Sequence, residues 1–170
     1  MRLLAAIGAL AISVAIVGIV YFFGGFYSVA ATEEIAPVAW ALVHVRQASV
    51  DRHATEPPPV SLDDVTVVQA GAHAYATRGC TTCHGGPGVQ WAKFTEGMQP
   101  YPPDLKEIVK DREPRQLFWV VKNGIKMTAM PSFGSIGVPD REIWSIVAFV
   151  KRLPTVSEGD FKTWSAQSGG

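Results

Sequence analysis

The chain has 170 residues, enough for one ordinary domain plus an appendage. Its formal net charge is +0 and no basic run offers a phosphate-binding stripe, so nothing points to nucleic acid. Only two cysteines are present, and if both serve one site no thiol remains for a disulfide framework.

Leu3 to Phe23 is apolar or small throughout, with only Ser13 and the glycines interrupting, and is long enough for a helix to cross a hydrocarbon core. Its charges are the amino terminus and Arg2, while Glu33 and Glu34 lie beyond the other end. The cationic side stays in the cytoplasm, so the remainder is exported. Tyr21, Phe22, Phe23, Phe26 and Tyr27 cluster where an interfacial aromatic belt belongs. A cleaved signal peptide is the competing reading, with Ser28-Val29-Ala30 spaced for cleavage before Ala31. The apolar core is longer than a typical h-region and the charged n-region is minimal, which favours a retained anchor over residues 1–30.

Ile35 to His53 carries a second helical pattern in which Ile35, Val38, Ala39, Leu42, Val45 and Ser49 share one face. Such a helix directly after an anchor suits the membrane surface, a partner subunit or the cover of a core. His44 and His53 read as exposed polar residues. Glu56-Pro57-Pro58-Pro59 cannot be helical and predicts a stiff spacer, which sets a boundary between a juxtamembrane segment, 31–60, and the domain at 61–156.

Ser61 predicts an N-cap and Asp64 the acidic partner of a capping box, for a helix from about Leu62 to Arg78 that ends at Gly79. Cys80-Thr81-Thr82-Cys83-His84 comes next, and it reads as a site of covalent c-type haem attachment. Two thiols three positions apart reach the vinyl groups of one porphyrin edge, and the adjacent imidazole reaches the iron. Zinc would need a second ligand pair, which His44, His53 and His73 do not make. A thioredoxin-like pair expects a βαβ context and no obligatory His. A disulfide would close too short a loop to stabilise much.

Gly85-Gly86-Pro87-Gly88 prevents regular structure beside the site. Trp91 and Phe94 read equally as porphyrin cover or as core. Tyr101 and Trp119 are candidates for hydrogen-bonding a haem propionate through their O–H and N–H groups. Pro114 opens a helix to about Lys122, which Asn123-Gly124 closes. Beyond that helix, Met130 is the candidate sixth ligand of the iron, because a thioether commonly completes such a centre and the Met-Pro step restricts the backbone. Met127 and Met98 are the weaker alternatives. The final helix is expected from Asp140 as N-cap, with an apolar face of Ile143, Trp144, Ile146, Val147, Val150 and Leu153. Residues 157–170 read as a mobile C-terminal tail from which Phe161 or Trp164 docks back on the domain.

About Ser61 to Pro154 resembles the class I c-type cytochromes, in particular the small membrane-anchored monohaem cytochromes of bacteria. The resemblance rests on Gly71-x-x-x-Tyr75, Cys80 to His84, Tyr101-Pro102-Pro103-Asp104-Leu105, Trp119-x-x-x-Asn123-Gly124-Ile125, Met130-Pro131-x-Phe133-Gly134 and the helix Ile143 to Leu153. It implies an all-α fold of three to five helices around one covalent haem c, here with an N-terminal transmembrane helix. It further implies that Gly71 marks the crossing of the first and last helices of the domain, with Tyr75 filling it. Pro103 would place its carbonyl to accept from His84, with Pro87 as the rival over a segment longer than in compact members, and Leu105 would pack on the haem.

The expected function is single-electron transfer without enzymatic chemistry, since iron held by His84 and Met130 has no open site for substrate. The expected location is the bacterial cytoplasmic membrane, with a periplasmic haem domain and a quinol-oxidising complex, dehydrogenase or terminal oxidase as redox partner. A dedicated haem subunit of one oligomeric complex is the first alternative. A haem enzyme or gas sensor with a dissociable Met130 is the second.

Overall fold

The computed structural model describes residues 1–166, and among these every regular element is helical. The chain divides into two compact units, Met1–Ile35 and a second that begins at Ala36. The first is built on α1, Arg2–Phe23, none of whose residues is buried. Its mean hydropathy of 2.7 makes it, among the described residues, the one helix long and apolar enough to cross a membrane. The ring of Phe22 sits between those of Tyr21 and Tyr27, at 5.5 and 5.1 Å, so the aromatic cluster gathers at its C-terminal end.

In the second unit α3, Val65–Thr77, crosses α7, Asp140–Arg152, and the core forms around that crossing. Gly71 makes the close approach: a Cβ there would fall on the backbone carbonyl of Ser145, and within 3.0 Å of Phe149 Cβ. Four positions on, Tyr75 is buried against Phe149, with ring centroids 5.2 Å apart. The start of α3 differs from the sequence expectation. Asp64 itself is the N-cap, its carboxylate accepting from Thr66 N at 2.8 Å, while Ser61 Oγ accepts from Asp63 N in the preceding turn. A carboxylate one turn later than Ser61 captures the first free amide, so the helix starts at Val65.

Helix α6, Pro114–Asn123, packs on the other side of α7, where Phe118 and Trp144 stack at 4.1 Å. It opens with a capping box between Glu113 and Gln116. With neighbours on both sides, α7 is buried continuously from Ile143 to Val150 rather than along one stripe. Asp140 is its first residue, not its cap, and bonds Lys122 Nζ at 2.9 Å.

Two elements differ in role from their sequence reading. Glu158–Ala166 forms a helix, α8, whose Phe161 is buried against Phe149 and Tyr75, so the expected docking is there but it is made by a regular helix as far as Ala166. The last four residues of the expected tail, 167–170, lie outside the described residues. The helix α2, Ala36–His53, belongs to the same compact unit as the core and packs on α6. It gives Val43, Arg46, Gln47 and Val50 to the cavity lining, of which Val50 is buried and Val43 still half-exposed, whereas Leu42 and Val45 are exposed and line no part of it. Both stripes fit a helical period, and only packing on α6 selects between them.

Candidate functional site

The short helix α4, Cys80–His84, starts after Gly79, whose φ of 80° turns the chain out of α3. It ends at Gly85, where φ is 64° and a Cβ would meet Val89 O at 2.9 Å. The buried hydroxyl of Tyr75 donates to Gly85 O at 2.9 Å and so ties the end of the motif to the helix crossing. Both thiols are free. Burial pushes the Cys80 thiol up to about 12. A neutral, buried thiol is a poor metal thiolate and a poor redox nucleophile. Among the described residues no three or more His, Cys, Asp and Glu side chains gather to hold an ion, which leaves zinc without a ligand set.

His84 Nδ1 lies 3.0 Å from the carbonyl oxygen of Pro103. A carbonyl only accepts, so Nδ1 carries the proton and donates, and Nε2 keeps its lone pair. Burial holds the imidazole below its ordinary value, with the Pro103 bond opposing. The ring is thus held as the neutral tautomer that can ligate through Nε2. Pro103 is positioned by the entry into α5, Leu105–Ile108, which Asp104 caps by accepting from Lys106 N at 2.8 Å.

Met130 is strapped to the end of α6. Gly124, at φ 67°, lets the chain turn beneath Met130, where a Cβ would meet Met130 O at 2.8 Å and Pro131 C at 2.7 Å. Ile125 N donates to Met130 O, Met130 N to Thr128 Oγ1, and Phe133 N to Val121 O. Met127, by contrast, sits at φ 59° and is 94% exposed.

Cys80, Cys83, His84, Tyr101, Pro103, Leu105 and Met130 line one largely apolar cavity of about 600 Å³. Its size is that of a site for a cofactor-sized ligand. α6 contributes Gln116, Leu117, Val120 and Val121, and α7 contributes Ile146, Val147 and Val150. Neither Met127 nor Met98 is part of the lining.

Trp119 does not line this cavity. It lies well off the 117–120–121 face of α6, and its ring approaches His53 of α2 at 6.1 Å. Trp91 and Phe94 are exposed and line no part of it, Trp91 instead meeting Tyr101 edge-on at 6.3 Å. Sequence reasoning missed Arg46, Arg78 and Arg112, which do line it. The available signal was the spacing of Val43, Arg46, Gln47 and Val50, masked by the second apolar stripe on the same helix.

A family model described as "Cytochrome C oxidase, cbb3-type, subunit III" matches residues 66–150, half of the chain. No curated protein and no solved structure shows significant similarity to it. Domains of that family are class I c-type cytochrome domains, to which haem c and haem-based electron transfer belong. With an all-helical fold whose α3–α7 crossing and cysteine-histidine helix both fall inside the matched span, the chain belongs to this c-type cytochrome family.

Proposed function

We propose that the protein is a membrane-anchored, periplasmic monohaem cytochrome that transfers single electrons between respiratory components. The observation that carries this reading is the convergence of one neutral imidazole, one thioether and two thiols on a single apolar cavity. That donor set fits a haem c and little else. Cys80 and Cys83 would form the thioether links, His84 Nε2 and Met130 Sδ would ligate the iron, and one-electron redox chemistry is what the group supplies when bound.

The chain's own residues do the rest. The Pro103 carbonyl fixes the orientation and raises the basicity of His84. Leu105 and the α6–α7 side chains exclude water from the iron's surroundings, and a low-dielectric pocket keeps the redox change from recruiting solvent protons. The α1 helix would hold the domain near membrane enzymes and raise its effective concentration there. Arg2 would stay on the cytoplasmic side and Glu33 and Glu34 would lie outside.

A second reading is favoured by the matched family, whose description names an oxidase subunit. In it the protein is a fixed haem subunit of an oligomeric membrane complex. Mild detergent extraction separates the two: a carrier leaves the membrane alone, a subunit leaves with stoichiometric companions.

The test of the central claim is the optical spectrum of the wild type beside Met130→Ala. The oxidised wild type should show the red-end charge-transfer band of a sulfur–iron bond, and the variant should lack it while keeping covalent haem. A band that persists in Met130→Ala removes Met130 as ligand, and a colourless wild type removes the whole reading.

A further inference from the structure

The lining of the cavity is not wholly apolar. Three arginines line it and no acidic residue does, although its wall is otherwise mostly apolar. Arg78 is already committed, its guanidinium paired with both oxygens of Glu142 at 2.7 and 3.1 Å. Among the described residues, neither Arg46 nor Arg112 has a hydrogen bond or ion pair through its side chain. Both are half-buried on the cavity wall, and a guanidinium in that position with no counter-charge is open to pairing with an anion.

The two cations enter from segments that are joined to each other. Asp51 of α2 accepts from Gln116 of α6 at 2.6 Å, also from Gln47 on its own helix, and so lays α2 beside the start of α6. Arg112 precedes that start by two residues, and its backbone carbonyl is held by Lys151 Nζ of α7 at 3.1 Å. Val50 and Ala54 are buried, which fixes α2 against the domain by packing as well. Gln47 and Gln116, which share Asp51, both line the cavity. A porphyrin of the c type is apolar except at one edge, where it bears two carboxylates. An apolar cavity with two uncommitted guanidiniums, carried on segments that Asp51 joins, is complementary to that edge, and arginine is the side chain suited to carboxylate recognition.

We propose that Arg46 of α2, together with Arg112, binds the haem propionates, so that Ala36–His53, outside the matched span of residues 66–150, is a wall of the cofactor site. The inference rests on the haem reading above. It makes α2 part of the redox centre rather than a mere spacer, because a fixed positive charge at the propionate edge favours the reduced iron.

The test uses the full-length, haem-loaded protein in detergent and reads its midpoint potential by optical titration. Arg46→Gln should shift the redox equilibrium towards the oxidised form by about threefold or more, ~28 mV at 59 mV per decade for one electron. Arg112→Gln should shift it in the same direction, and Arg46→Lys should restore most of the loss. Arg52→Gln makes the same charge change on an exposed part of α2 and should leave the potential where it was. A potential unmoved by Arg46→Gln, or moved equally by Arg46→Lys or Arg52→Gln, overturns the assignment. Should Arg46→Gln fail to retain haem, Arg46→Lys decides: loading with a near-native potential supports it, and failure to load overturns it. Absence of covalent haem from the wild type would instead defeat the underlying haem reading, before any variant is compared.

Discussion

The backbone of Gly71 lies so close to the carbonyl of Ser145 that a methyl group at position 71 would occupy the same space. The obstacle is main chain in the middle of a buried helix, which has no rotamer by which to give way. Gly71→Ala should therefore cost about 3 kcal/mol, the upper end for overpacking, despite the better helix propensity of alanine. Thermal unfolding of the haem-loaded protein checks this; an unchanged or raised midpoint would show that α3 and α7 do not cross at this point.

Met127 and Met130 are three residues apart and face different surroundings, one exposed at φ 59°, the other on the cavity wall. Met130→Ala should lower the midpoint potential by a tenfold or larger shift in the redox equilibrium, about 59 mV for one electron. Met127→Gly should leave spectrum and potential alone and raise stability by about 0.5 kcal/mol, since relief of the left-handed backbone outweighs the entropy cost of glycine. Optical redox titration and denaturant unfolding of the two variants separate the roles.

Phe161 ties α8 to the core through Phe149 and Tyr75. Phe161→Ala should destabilise the protein by about 3 kcal/mol, as expected for an aromatic side chain removed from a packed interior. A loose tail would show almost no change in urea unfolding, so the two descriptions of this segment give different numbers.

Burial depresses the proton affinity of His84 in the folded chain below its ordinary value of 6.5. In the window between the two values the unfolded chain binds more protons than the native one, so stability rises with pH there. The contribution is complete above the unfolded value and is lost as pH falls below it. The proposed ligation through Nε2 would act in the same direction, because iron and proton compete for one lone pair. Urea midpoints should fall between roughly pH 7.5 and pH 5, ahead of the carboxylates that titrate lower. A flat profile over that range would mean that His84 is not held neutral.

Much of the site was legible because its chemistry is contiguous. Cys80, Cys83 and His84 share one helical turn, so their mutual geometry comes from local backbone alone. The apolar length of α1, the glycine before the aromatic on α3 and the proline that opens α6 are likewise short-range features, and the structure has them where periodicity and capping chemistry put them. Helix ends were less certain: at α3 two capping residues lie within four positions, and the choice of Asp64 over Ser61 depends on which one meets a free amide.

The chain determined by itself which groups from within a single turn or loop line the candidate cavity. Tertiary structure decided which distant groups join them. Pro103 reaches His84 across 19 residues, Trp119 turns away to His53, and α2 presents Arg46 rather than its Leu42 and Val45 stripe. A helical period states only that residues share a face. Which face is covered depends on the neighbour that packs there, and that neighbour is specified by contacts far away in sequence.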